Sequence, residues 1–181
     1  MTGPDRRRLS AWIQEQLLER RIVLVTGHLD AGAAAEIAAA LVVLDGAGAA
    51  PIELHVSSAN GALDATFAVI DTIERLRAPV YARCRGEVGG TVVGVTASAE
   101  QSTAAPHTRF RLAQPTARFA GSPAEIAAES RRQQDLLWRL YARLARRTGR
   151  PAEEIAEDIR RGRYLTAHEA LEYGLIDEIA S

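Results

Sequence analysis

The stretch Ile52-Glu-Leu-His-Val-Ser-Ser-Ala-Asn-Gly61, continued by Ala62-Leu-Asp-Ala-Thr-Phe-Ala-Val-Ile-Asp-Thr-Ile73 and, past Pro79, by Val80-Tyr-Ala-Arg-Cys84, decides the fold class. Residues 52–56 read as a strand and Ser57–Gly61 as a turn. A helix follows to about Arg77, Pro79 breaks it, and residues 80–84 form the next strand. A strand, a helix and a second strand in this order make a βαβ unit, which calls for parallel pairing and a right-handed crossover.

The same alternation extends in both directions. Toward the N-terminus, Ile22-Val-Leu-Val25 is a short apolar run between Arg21 and Gly27 and reads as a buried strand. An alanine-rich helix follows over 31–45, with Ile37, Leu41 and Leu44 on one stripe, and Gly46-Ala-Gly48 and Pro51 end it. Pro4-Asp5 opens an amphipathic helix whose Leu9, Trp12, Ile13 and Leu17 recur at helical spacing. Toward the C-terminus, Gly86, Gly89 and Gly90 predict a loop before a small-residue helix over about 91–99. Residues 110–112 are strand-like and end at Gln114-Pro115.

Pro123 to Arg147 carries the longest helical pattern, with Ile126, Leu136, Leu137, Leu140, Tyr141 and Leu144 on its apolar side. Thr148-Gly149 ends it and Pro151 starts another helix. Thr166-Ala-His-Glu169 has capping-box spacing, and Gly174-Leu-Ile176 reads as a last short strand or turn. The expectation is an α/β fold in one domain over 1–181, with an N-terminal helical segment in 1–20 and a projecting element at about 116–150. Sheets of this kind carry their sites on loops after strand C-termini, here Ser57–Gly61 and Arg85–Gly90.

Composition narrows the function classes. The 181 residues are 47% hydrophobic and 25% charged, a globular mixture with a net charge of −1. That balance gives no overall pull toward nucleic acid or an anionic membrane. All 22 basic residues are arginine, so Schiff-base and Ser-Lys chemistry is excluded. A single cysteine, Cys84, excludes an internal disulfide and a multi-cysteine metal site. No apolar run approaches the length of a membrane span, and a cytoplasmic protein without metal or cofactor is expected.

The order of pieces resembles the Clp protease proteolytic subunit (ClpP) family of the Clp/crotonase superfamily. Leu54-His-Val-Ser-Ser-Ala-Asn-Gly61 resembles that family's strand followed by Ser-Pro-Gly-Gly. Cys84-Arg-Gly86 resembles the Cys-x-Gly that leads into its nucleophile turn, and Gln114-Pro115 matches the Gln-Pro after its histidine. Tyr164-Leu-Thr-Ala-His-Glu-Ala-Leu-Glu-Tyr-Gly-Leu-Ile-Asp177 resembles the family's C-terminal Phe-Leu-Ser-Ala-x-Glu-Ala-x-x-Tyr-Gly-Leu-x-Asp. The resemblance implies a fold of repeated βαβ units in a spiral, with a projecting handle helix, and a serine peptidase.

Its catalytic residues do not carry over. The serine position falls on Gly90, the histidine position on Ala113 and the aspartate position on Gly162. A Ser-His-Asp triad needs a hydroxyl, a base and an orienting acceptor, and these residues supply none. The oxyanion-hole backbone falls on Gly61 and Thr91, with Ala59 and Asn60 in place of proline and the first glycine. Glu87 and His107 are the side chains with a claim to substitute as acid or base. Thr91 and Cys84 read as a helix-start residue and a buried small hydrophobe.

The resemblance therefore implies a pseudoprotease subunit. It would assemble in heptameric rings, alone or mixed with an active ClpP paralogue, and meet a Clp AAA+ ATPase. Two alternatives stand beside it. One is a crotonase-like enzyme that uses the backbone donors with altered chemistry. The other is a binding module that holds peptide by strand addition.

Overall fold

The computed structural model describes residues 6–116 and 120–180, with side chains from residue 12 onward. Pro4, Asp5 and the Leu9 side chain lie outside the described residues, as do residues 117–119 of the expected handle region. Helices α1 (Arg6–Glu19), α2 (Ala31–Ala47) and α3 (Leu63–Ile73) alternate with strands β1 (Ile22–Leu29), β2 (Ile52–Gly61) and β3 (Val80–Gly89). A 3-10 turn (Gly90–Val92) and α4 (Val93–Thr96) lead to β4 (Gln101–Ala104) and β5 (Arg109–Leu112). Then come α5 (Pro123–Thr148), α6 (Ala152–Arg161), β6 (Arg163–Thr166), α7 (Ala167–Tyr173) and β7 (Glu178–Ile179). The main sheet runs β1-β2-β3-β4-β7, all parallel, and β5 joins β3 to an antiparallel β6.

Strand alternation explains which face the helices cover. Val23, Val25, Ile52, Leu54, Val56, Val80, Ala82 and Cys84 are buried against the helical layer. Leu24 is exposed on the opposite face, and Glu53, His55, Tyr81 and Arg83 are half-buried there. Helix α2 is capped by Asp30, whose side chain accepts from the Ala33 N–H, and buries the expected Ile37, Leu41 and Leu44 stripe. Helix α5 opens on the Ser122–Glu125 capping box with Pro123 in its first turn. Its 26 residues span about 39 Å at 1.5 Å per residue. Its buried residues, Leu140, Tyr141 and Leu144, all lie in its C-terminal half, while residues 123–128 are exposed.

Several boundaries differ from the sequence reading. Strands β2 and β3 run on through the expected turn at 57–61 and the expected loop after Arg85. Bulges make this possible, with register shifts between Thr26 and His28 and between Val56 and Ser58. Gly27 (φ 72°) and Gly86 (φ 65°) lie at these bulges in conformations that a side chain would strain. Helix α3 stops at Ile73, short of Arg77, because the Asp45 carboxylate accepts the Arg77 and Ala78 N–H groups, each at 2.8 Å, and draws the chain off the helix.

The expected helix over 91–99 shrinks to a 3-10 turn and one α turn. Strand β4, Gln-Ser-Thr-Ala, was not expected because it has no large apolar residue. Ser102 is nonetheless fully buried, its N–H donating to Asp177 Oδ2 at 2.7 Å. β6 was not expected either; the capping box at Thr166 forms at its end. Gly174 (φ 86°) caps α7, so of the two readings of 174–176 the turn holds, and the last strand lies at Glu178–Ile179.

Arg132 on α5 grips Asp64 on α3 through two bonds of 2.6 and 2.8 Å and also reaches Glu129. This guanidinium holds the Asp64 carboxyl below the usual carboxylate range. A depressed folded pKa stabilises above the unfolded value of about 3.9 and is lost as pH falls through the lower folded value. Asp64→Asn is therefore expected to lower the urea midpoint at pH 7 and to flatten its decline below about pH 4. An unchanged acid decline would show that this clamp contributes nothing to it.

Candidate functional site

Three strand ends converge at one place. β3 leaves the sheet at Gly90, whose φ of 56° turns the chain into the 3-10 segment. The parallel register Gly89↔Arg111 sets the end of β3 beside β5. The antiparallel register Leu112↔Arg163 brings Ala113 and Gly162, each one residue further on, opposite each other. Gly90, Ala113 and Gly162, far apart in sequence, therefore gather at the same end of β3, β5 and β6. Gly162 (φ 68°) is the left-handed cap of α6, its N–H directed to the Asp158 and Ile159 carbonyls.

The backbone around Gly61 forms the other wall. The Ala62 N–H donates to the Leu29 carbonyl at 2.9 Å, so the Gly61 N–H and C=O, by the alternation of a strand, point away from β1. Its carbonyl accepts from Thr91 Oγ1 at 3.0 Å. Its N–H donates to Asn60 Oδ1 at 2.9 Å. Gly61 has no room for a side chain, because a Cβ would meet Leu29 Cβ at 2.8 Å. Gly89 is equally confined, since a Cβ there would lie 2.6 Å from the Ala59 carbonyl oxygen.

The side chains with a claim to chemistry are already engaged or lie elsewhere. Thr91 is fully buried, and its hydroxyl donates to Gly61 while accepting from Thr66 Oγ1 at 2.7 Å. Glu87 lies 3.3 Å from Arg111 Nε, and Arg111 also donates to the Ala59 carbonyl at 3.2 Å. His107 is exposed on the turn joining β4 and β5. That turn precedes β5, whereas Ala113 follows it, so the two occupy opposite ends of the strand. Ser58 Oγ donates to the Gly27 carbonyl at 2.6 Å, and His55 pairs with Glu53 at 2.9 Å, both in structural contacts.

Cys84 is buried in β3, and burial pushes its thiol up to about 12. Among the described residues no group of three or more His, Cys, Asp or Glu side chains is placed to hold a metal ion. No helix among them is long and apolar enough to cross a membrane. Sequence reasoning missed the engagement of Asn60, Arg111 and Thr66. Asn60 was noted only as a replacement in a loop, and nothing in its local sequence ties it to residue 90.

A family profile for Clp protease matches residues 5–181. The chain belongs to the Clp protease family. It is 34% identical over 172 residues to "ATP-dependent Clp protease proteolytic subunit 1" of Nocardia farcinica, covering 93% of this chain and 87% of that protein. The resemblance read from the 54–61, 84–86, 114–115 and 164–177 blocks is thereby established at the level of the family, together with the α/β fold and its parallel sheet.

Two outcomes follow from the burial of Cys84 and Thr91. Cys84 is expected to resist a disulfide-exchange reagent at pH 8 in the folded protein and to react once urea unfolds it. Fast labelling of the native chain would contradict the buried strand. Thr91→Val leaves the Thr66 hydroxyl and the Gly61 carbonyl without partners and is expected to cost about 1–3 kcal/mol in urea unfolding.

Proposed function

We propose that this chain is a catalytically inactive ClpP-like subunit with a structural or regulatory role in a ring or barrel assembly. The observation that carries the reading is the convergence of Gly90, Ala113 and Gly162 at one end of β3, β5 and β6. These are the positions on which the family's serine, histidine and aspartate fall. None of the three supplies a nucleophile, a base or an orienting acceptor. Loss of one such group costs orders of magnitude in rate, and here the whole set is absent. The weak substitutes do not fill the gap, because Glu87 is held by Arg111 and His107 sits at the far end of β5.

The crotonase-like alternative asks for two free backbone donors at Gly61 and Thr91. It is disfavoured because the Gly61 N–H is already bonded to Asn60.

Assembly is supported by surfaces this chain leaves bare. Parallel sheets are ordinarily covered on both faces. Here Leu24, Glu53, His55, Tyr81 and Arg83 stand on the face opposite the helical layer. On nearby helices Val42 and Val43 are 58% and 67% exposed, and Trp12 is 57% exposed. Apolar exposure on this scale suits an interface. The reading places these surfaces in a heptameric ring, homomeric or mixed with an active ClpP paralogue, with a Clp AAA+ ATPase as a further partner. The exposed first turns of α5, residues 123–128, would serve ring-to-ring stacking.

The purified chain is expected to show no turnover of fluorogenic peptides and no labelling by a fluorophosphonate. Native mass spectrometry, alone and after co-expression with an active paralogue, is expected to show closed rings containing this chain. Covalent fluorophosphonate labelling at any residue would overturn the inactive reading. A strictly monomeric chain under both conditions would overturn the assembly reading.

A further inference from the structure

We propose that Asn60 is a built-in occupant of the backbone donor at Gly61, an autoinhibitory contact between its carboxamide and the backbone of Gly61 and Gly90. The proposal rests on the inactive-subunit reading of the same site and deepens it. With the catalytic positions emptied, the Gly61 N–H remains a backbone donor able to hold a carbonyl or carboxylate oxygen. Asn60 closes that possibility from within.

Two observations at separate points of the chain meet in this one side chain. The first is the Gly61 N–H, which is turned away from β1 and finds its acceptor in Asn60 Oδ1 at 2.9 Å. The N–H requires an acceptor, so the carboxamide presents its oxygen here and not its nitrogen. That oxygen is chemically the same ligand as an incoming acyl oxygen, and it is tethered to the neighbouring residue. An external ligand must displace a contact whose partner is always present, at a high effective concentration.

The second observation is the crowding at residue 90. A Cβ on Gly90 would overlap Asn60 Oδ1 and lie 3.2 Å from Asn60 Cγ. The nearest backbone atom of Asn60, its Cα, is 3.4 Å away. The obstruction is therefore the carboxamide itself, a group that rotation or truncation removes. The φ of 56° adds a separate strain for any side chain at this position. Glycine at residue 90 and asparagine at residue 60 are thus coupled, and a side chain returned to residue 90 alone meets the plug.

A double-mutant cycle with Gly90→Ala and Asn60→Gly tests the coupling, because the φ strain of the alanine is present in both arms and cancels. Gly90→Ala in the natural background is expected to lower Tm by several degrees. In the Asn60→Gly background the unfolding constant is expected to change several-fold less, about what one lost hydrogen bond is worth. Additive effects would overturn the proposal. Hydrogen exchange provides a second readout on the Asn60→Gly chain, with Val56 in the same strand as the internal reference. The Gly61 amide is expected to exchange about tenfold faster relative to Val56 than in the natural chain.

An unchanged Gly61-to-Val56 ratio would overturn the plug even if Gly90→Ala fails to fold. Peptide turnover by the natural chain would defeat the inactive-subunit reading while leaving both of these measurements standing, so the two failures are distinguishable.

Discussion

The structure depends on one constraint at β3: one of its edges pairs with β2 and the other is shared by two different strands, β4 and β5. Tyr81 to Cys84 lie against Gln101 to Ala104, and Glu87 to Gly89 lie against Arg109 to Arg111. A flat strand cannot serve both, because the two partners diverge. The break falls at residues 85–87, where Gly86 takes a positive φ and the pairing with β2 jumps from Cys84 to Val88. The added twist of a bulge re-aims the rest of the strand. β5 and β6 follow it out of the main sheet, and the end of β3 arrives where Ala113 and Gly162 already meet.

Small residues dominate the site for the same reason. Neighbouring segments approach these backbones closely, so the space beside each is set by its neighbours rather than by a ligand. Gly89 packs on the Ala59 carbonyl and Gly61 on Leu29. Thr91 and Thr66 fill the interior with hydroxyls that satisfy one another and the Gly61 carbonyl. This is a closed hydrogen-bond arrangement, and its buried groups are costly to leave unpaired. Gly90 adjoins it at the end of β3. In this chain the adjoining room is filled by an amide.

Much of the fold was legible in sequence because it rests on local signals. The Ile37, Leu41 and Leu44 stripe of α2, the capping spacing at Thr166 and the proline start of α5 act within a few residues of themselves. The blocks that resemble the Clp family pointed to the family without any geometry. Strand β4 was invisible because Gln-Ser-Thr-Ala is a strand only through its neighbours: its burial comes from Asp177 and Arg147, distant in sequence. The extensions of β2 and β3 were hidden in turn-like residues, since bulges use the same glycines that turns do.

By itself the sequence determined the α/β class, the family and the absence of functional side chains at positions 90, 113 and 162. Those are matters of residue identity and spacing, and both are written in the chain. Only the tertiary structure decided that the three positions share one strand end, that Glu87 is held by Arg111 while His107 lies away from them, and that the Gly61 N–H is occupied. Each of these depends on register between strands and on the direction of a single N–H, which long-range packing sets and no local pattern encodes.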